Sequence, residues 1–150
     1  MQKLGTLAAA ALLVGALVQL PAAAADAPIA GKDYTVVNPA QPTEAKGKVE
    51  VIEFFSYGCP HCHEFDPLLE KWAKGAAKDV EVKRVPITFG RDVWVPLAKM
   101  YYTLEALGEL ERMHGAVFEA LHNQRVPLNV ENAQFEWIAS KGIDGKKYQD

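Results

Sequence analysis

The feature that most constrains the fold is an apolar strand followed at once by the start of a helix. Residues Lys48 to Phe55, KVEVIEFF, are rich in β-branched and aromatic residues and become apolar on both faces, as in a central strand. Ser56-Tyr57-Gly58 interrupts the run, and Pro60 suits the first position of a helix, where a missing N–H costs nothing. Apolar residues at helical spacing then predict a helix to about Ala77: Phe65, Leu68, Leu69, Trp72, Ala73 and Ala76. Cys59 is therefore predicted at the N-terminus of a helix that follows a buried strand.

Outside this helix, the sequence predicts strands before Gly90 and helices after it. Residues 79–85 are predicted as a second strand, and residues 34–37 as a short earlier one. After Gly90 only helical spacing remains, which predicts helices over 92–107, 109–122 and 130–141, with Asp144 capping a last one. Pro67 lies inside the first helix. It predicts a bend and not a stop, because the apolar pattern continues past it.

The first 25 residues have the order of a secretory signal. Lys3 precedes an uncharged apolar run from Leu4 to Leu20, and Ala23-Ala24-Ala25 forms an A-x-A cleavage pattern before Asp26. A membrane helix is the alternative, but the run is barely long enough and ends in small residues. The sequence predicts export and a mature chain that begins at Asp26.

Charge and size limit the classes of function. Removing residues 1–25 leaves 125 residues with 15 basic and 19 acidic side chains, a formal net charge of −4. That length suffices for one domain with its own core. Because no basic cluster is present, nucleic acid is not expected as a partner.

The two cysteines, Cys59 and Cys62, are separated by only two residues. A disulfide between them would close a very small loop and remove little entropy from the unfolded chain, so a stapling role is a poor explanation. A reactive thiol pair is a better explanation than a structural disulfide. The sulfur of Cys59 can accept hydrogen bonds from free N–H groups of the first helical turn, and a protonated His61 adds positive charge. Cys59 is thus the predicted attacking thiolate, with Pro60 stiffening the turn and Cys62 as the more shielded partner.

Glu53 is the second candidate residue. A carboxylate in a strand that is apolar on both faces must be partly desolvated, which raises its pKa, and it could accept the proton of Cys62. The alternative is a glutamate that reaches solvent at the sheet edge. Arg84 in the second strand is a possible partner. The other histidines, His63, His114 and His122, are interpreted as ordinary residues, His63 on the helix surface and the last two without an identifiable partner.

The segment EFFSYGCPHCHEF strongly resembles the active site of the DsbA family, the periplasmic thiol oxidases of the thioredoxin superfamily. The resemblance implies an α/β thioredoxin-like fold with an inserted helical domain. Residues 26–90 would be the N-terminal part of the thioredoxin-like domain, and residues 91–150 the insertion. The family's cis-proline loop and last strands would follow, so the fold is expected to be incomplete at the C-terminus, with the apolar face of residues 51–55 uncovered. Val126-Pro127 imitates the loop dipeptide but is interpreted as a connector.

The same resemblance implies a function. It predicts a periplasmic thiol:disulfide oxidoreductase that donates the Cys59–Cys62 disulfide to reduced secreted proteins, without a bound cofactor. A membrane, quinone-linked oxidase of the DsbB type would reoxidise it. In the family a buried acid at the position of Glu53 has the proposed proton-accepting role.

Four alternatives stay open. A disulfide isomerase or reductase on the same fold is the nearest, since C-x-x-C alone does not set the direction of exchange. CPHCH also satisfies the c-type haem attachment pattern, with His63 as axial ligand. A zinc site would need four ligands from five residues and is strained, so no metal is predicted. A non-catalytic binding module of the same fold is the last.

Overall fold

A computed structural model describes residues 26–149, which form two compact units, residues 26–41 and residues 42–149. The predicted signal, residues 1–25, lies outside the described part. In the first unit the predicted strand over residues 34–37 is wrong: only an isolated bridge joins Ala30 to Tyr34. Val36 and Val37 are 68% and 65% exposed, so their side chains do not pack on a sheet, and β propensity alone does not form a strand here.

The second unit contains two strands and five α-helices. In chain order these are β1 (Val49–Phe55), α1 (Pro60–Gly75), β2 (Val80–Pro86), a short 3-10 helix (Asp92–Trp94), α2 (Val95–Ala106), α3 (Leu110–His122), α4 (Glu131–Ser140) and α5 (Gly145–Gln149). The strands and helices predicted from residue 48 onward are therefore confirmed to within a few residues. None of the helices within residues 26–149 is long and apolar enough to cross a bilayer.

The two strands are parallel, and α1 supplies the crossover that a parallel pair requires. The register runs from Val49 opposite Val80 to Phe55 opposite Pro86, and it sets Glu53 directly beside Arg84. Helix α1 continues through Pro67 without a stop, as predicted. The bend at Pro67 stays a prediction.

The core joins the end of β1 to the helices that follow. Phe55 is fully buried, and its ring lies 5.2 Å from that of Tyr57, 5.5 Å from Tyr101 and 5.9 Å from Phe118. Helices α2, α3 and α4 complete this core with Leu97, Met100, Leu104, Met113, Val117 and Ile138. Because Phe55 and Tyr57 lead straight into the cysteine motif, the core fixes where that motif begins. The predicted domain boundary near residue 90 stays a prediction.

Several large apolar side chains of the βαβ unit are exposed. Ile52 and Phe54 on β1 are 41% and 58% exposed, and the larger members of the predicted apolar stripe on α1 are exposed as well: Phe65, Leu68 and Trp72. Of that stripe only Leu69 is buried. The expected uncovered face of residues 51–55 is thus confirmed for Ile52 and Phe54, whereas Phe55 points into the core.

Candidate active site

A tight turn carries the chain from β1 into the cysteine motif. The N–H of Cys59 donates to the carbonyl oxygen of Ser56 at 3.0 Å, and the N–H of Gly58 donates to Oγ of Ser56 at 3.2 Å. Cys59 has the extended backbone of an N-cap residue (φ −94°, ψ 116°), and Pro60 occupies the first turn of α1. The predicted place of Cys59 at the N-terminus of the helix is confirmed.

The two thiols are unbridged and unequal. Both are half-buried. Burial raises the pKa of Cys62 to about 11. A backbone hydrogen bond at Ser56 opposes that rise, while a hydrogen bond to the Cys59 side chain and the charge of Glu53 add to it. Cys62 therefore holds its proton at neutral pH and directs it to the Cys59 side chain.

The flanking residues of the motif face solvent. Pro60 and His61 are both exposed, so nothing within residues 42–149 covers this side of the turn. An incoming thiol can approach Cys59 from there. The predicted electrostatic role of His61 stays a prediction.

Glu53 lies in a buried ionic cluster. Its Oε2 accepts a hydrogen bond from Nε of Arg84 at 3.0 Å, and the two side chains are only 11% and 18% exposed. The alternative of a solvent-reaching edge glutamate is therefore wrong. Arg84 also donates to Glu70 at 2.6 Å and to Asp66 at 3.4 Å. Burial raises the pKa of Glu53 above its ordinary value, and the Arg84 charge only partly offsets that effect.

Two histidines of α3 have partners that the sequence did not reveal. Nδ1 of His114 lies 2.8 Å from the Tyr57 hydroxyl, and its Nε2 lies 3.0 Å from Oδ1 of Asp66. Nε2 of His122 lies 2.7 Å from the carbonyl oxygen of Tyr57. The interpretation of both as residues without a partner is wrong. A sequence signal was present, because the two are eight residues apart and share one face of α3, but their partners lie 48 to 65 positions away.

His63 is also better packed than predicted. It is half-buried, and its ring stacks on that of His122 with 4.8 Å between centroids and 8° between planes. Among residues 26–149, no group of three or more histidine, cysteine or acidic side chains is arranged to hold a metal ion.

Trp94 packs against the residue that precedes Cys59. A Cβ added to Gly58 would lie 2.7 Å from Cδ1 of the Trp94 ring, which is too close for any side chain. The ring in turn carries the Arg91 guanidinium at 4.8 Å from its centroid. Sequence reasoning missed this contact, since nothing local links Gly58 to a tryptophan 36 residues later.

Known proteins with similar sequences identify the family of this chain. The family model described as thioredoxin matches residues 43–138. The thiol:disulfide interchange protein DsbA of Burkholderia cepacia is 44% identical over 140 residues, which cover 93% of this chain and 66% of the relative. The chain belongs to the DsbA family of the thioredoxin superfamily.

Solved structures of the family agree. The oxidoreductase DsbA from Xylella fastidiosa is 39% identical, with a TM-score of 0.65 over 71% of this chain and 58% of that one. DsbA from Pseudomonas aeruginosa is 36% identical, with a TM-score of 0.69 over 80% of this chain and 65% of that one. The thioredoxin-like fold is thus confirmed, and the chain spans about two thirds of the length of the curated DsbA proteins that it matches.

Proposed function

We propose that this chain acts as a periplasmic thiol:disulfide oxidoreductase, which donates the Cys59–Cys62 disulfide to reduced secreted proteins. The observation that carries the proposal is the unequal thiol pair at the start of α1, in which Cys59 is the N-cap residue and Cys62 keeps its proton. Similarity to proteins named thiol:disulfide interchange protein supports the same reaction.

The reaction uses two cysteines of the chain and two of the substrate protein. A substrate thiolate attacks Sγ of Cys59 in the oxidised chain, the Cys59–Cys62 bond breaks, and the Cys62 sulfur leaves and takes up a proton. The second substrate thiolate then attacks the substrate sulfur of the mixed disulfide and releases Cys59 as a thiolate. The substrate is oxidised by two electrons, and the pair in the chain is reduced by two.

The positions of the groups suit these steps. A cysteine with a pKa near 11 binds a proton as soon as it is released, so Cys62 is drawn toward the thiol form. Glu53, whose charge contributes to that pKa, is our proposed proton acceptor for Cys62 when the pair is reoxidised. We further propose that residues 1–25 direct export and that a membrane, quinone-linked oxidase of the DsbB type carries out the reoxidation.

Oxidation of a reduced, unfolded test protein by the oxidised chain is the direct test. Loss of free thiols in the test protein should match the appearance of thiols in the chain, and Cys59→Ser should abolish it. Cys62→Ser should abolish it as well, because without the Cys59–Cys62 bond the chain has no disulfide to donate. Transfer that survives Cys59→Ser would refute the proposal.

The direction of exchange separates the oxidant from the isomerase or reductase. Equilibration with glutathione gives the reduction potential of the pair. An oxidant should lie well above the value of about −270 mV that is typical of thioredoxin. A potential near −270 mV would favour the reductase.

A further inference from the structure

Helix α3 contacts both the side chain and the backbone of Tyr57. Its hydroxyl lies 2.8 Å from Nδ1 of His114, and its carbonyl oxygen lies 2.7 Å from Nε2 of His122. Tyr57 is fully buried, and it is a central residue of the turn that runs from Ser56 to Cys59. Two groups on one helix thus fix the side chain and the backbone of a residue two positions before the reactive cysteine. We call His114 and His122 the histidine clamp.

The partners of the clamp fix its hydrogen-bond directions. A carbonyl oxygen only accepts, so Nε2 of His122 carries the hydrogen that it donates to Tyr57. An ionised carboxylate also only accepts, so Nε2 of His114 donates to Asp66, and Nδ1 faces the Tyr57 hydroxyl. Although burial opposes ionisation of Asp66, the hydrogen bond from His114 and the charge of Arg84 hold its pKa below the ordinary value. Each clamp histidine therefore has a defined polar role.

The clamp also touches α1 next to the second cysteine. The ring of His63, the residue after Cys62, stacks on His122 at 4.8 Å and on Phe118 at 5.7 Å. Asp66 is one helical turn beyond Cys62. Helix α3 thus contacts the polypeptide on both sides of the two sulfurs.

We propose that His114 and His122 are positioning residues for the thiol pair, because they hold the turn that sets the Cys59 sulfur against the first turn of α1. This inference rests on the proposed function. In the oxidised chain the disulfide itself fixes Cys59 to Cys62. In the reduced chain only non-covalent contacts do so, which means that loss of the clamp weakens the reduced form more. The clamp therefore makes the pair a stronger oxidant.

A purely structural role predicts something different. If the histidines only filled the core, their loss would lower the stability of the reduced and oxidised chain alike and leave the equilibrium between them unchanged. The equilibrium constant with glutathione distinguishes the two roles, since it compares the two redox forms of the same variant.

The test compares His122→Leu with His122→Gln in the purified chain. Leucine removes the donor to the Tyr57 oxygen, whereas glutamine keeps an N–H at a similar distance from the backbone. We expect His122→Leu to shift the glutathione equilibrium toward the oxidised form by roughly two- to tenfold, the effect of one lost hydrogen bond. His122→Gln should stay within about twofold of the unsubstituted chain by the same reasoning. Tyr57→Phe, which removes the hydroxyl at His114, should shift it in the same direction as leucine.

Gln124→Leu is the matched control, because Gln124 is exposed beyond the end of α3 and its side chain is not among the contacts of the turn. It should leave the equilibrium unchanged. If His122→Leu does not fold, as judged by circular dichroism, His122→Asn replaces it, since its amide is one bond too short to reach the Tyr57 oxygen.

Equal glutathione equilibrium constants for His122→Leu and His122→Gln would overturn the proposed role of the clamp, whether or not the two constants differ from that of the unsubstituted chain. The proposed function fails separately. If the unsubstituted chain does not oxidise a reduced protein, the enzymatic proposal is wrong whatever the constants show, and if it does while the constants are equal, only the clamp is wrong.

Discussion

At the scale of single residues, Arg84 is the centre of the buried charges. It contacts Glu53, Asp66 and Glu70, and thereby joins β1 and α1 through one side chain of β2. Buried ion pairs add little to stability when formed, but removing one partner leaves an uncompensated charge. Arg84 keeps Asp66 and Glu70 when Glu53 is replaced, whereas Glu53 loses its cation when Arg84 is replaced, so the two substitutions should differ in cost.

Arg84→Met should destabilise the chain strongly. It leaves Glu53 and Asp66 buried without their cation, and breaking a buried pair in this way costs about 3–5 kcal/mol. Urea unfolding at neutral pH measures the change. Lys83→Met, which removes an exposed pair with Glu44, is the control and should cost far less, because solvent screens that pair. Similar losses for the two variants would contradict the central role of Arg84.

Glu53→Gln should be tolerated and should alter the dependence of stability on pH. The pKa of Glu53 in the folded chain is raised above the ordinary value of 4.5, so the folded state binds the proton more tightly than the unfolded state does. The stability that Glu53 contributes through this proton is complete below pH 4.5 and is lost as the pH rises through the folded pKa. The glutamine variant should therefore gain stability relative to the unsubstituted chain over that window.

Urea unfolding from pH 4 to pH 7 tests this sign. A difference between the two proteins that is constant with pH, or that favours glutamate as the pH rises, would show that burial does not control Glu53. Reoxidation of the reduced Glu53→Gln chain should also slow, because Glu53 is the proposed acceptor of the Cys62 proton in that step.

At the scale of elements, the 3-10 helix packs beside the active-site turn. Trp94 at its end covers Gly58, and together with Pro60, Leu97 and His122 it lines a cleft of about 330 Å³ next to the cysteines. The close approach of backbone and indole requires glycine at position 58 for reasons of space, because any Cβ would meet the ring.

Gly58→Ala should destabilise the chain by about 1–3 kcal/mol through overpacking. Adding Trp94→Leu should recover part of that loss, because the smaller side chain leaves room for the methyl group. Gly115→Ala, at a glycine inside α3 with open space around it, is the control and should stabilise by up to about 1 kcal/mol. Unfolding in urea of these variants, of Trp94→Leu alone and of the unsubstituted chain measures the effects, and strictly additive effects of Gly58→Ala and Trp94→Leu would argue against the contact.

At the scale of the whole molecule, the exposed apolar side chains on β1 and on α1 are the feature that most affects behaviour in solution. Phe54 and Leu68 are 58% and 63% exposed, and exposed apolar surface of this kind promotes association. Leu68→Lys should raise the solubility of the chain in ammonium sulfate and change its free energy of unfolding by no more than about 0.5 kcal/mol. Lys71→Leu, on the same helix, should have the opposite effect on solubility. Unchanged solubility of Leu68→Lys would mean that this surface is not what limits it.

The redox state should also affect the stability of the whole chain. Because Cys59 is the N-cap residue of α1, where free N–H groups favour a negative charge on its sulfur, we expect the reduced chain to melt at a higher temperature than the oxidised chain at neutral pH. Thermal unfolding of the two forms, with Cys59→Ala as a variant that cannot form the disulfide, measures this. Equal melting temperatures would contradict the assignment of the chain as an oxidant.

The sequence by itself determined the local elements and the reactive pair. The apolar strand, the break at Gly58 and the helix start at Pro60 depend on neighbouring residues only, so the place of Cys59 at the start of α1 followed from residues 48 to 76 alone. Asp144 as a helix cap is the same kind of feature, and it is confirmed by its hydrogen bond from the N–H of Lys146 at 2.9 Å.

Only the tertiary structure decided which distant side chains meet these elements. The parallel register set Arg84 beside Glu53, and the packing of α3 on the turn brought His114 and His122 to Tyr57. Such contacts join residues tens of positions apart, and periodicity within a helix shows which face they share but not what lies opposite. The exposed stripe on α1 has the same cause, since an apolar pattern indicates a face that favours burial and does not say whether another element covers it.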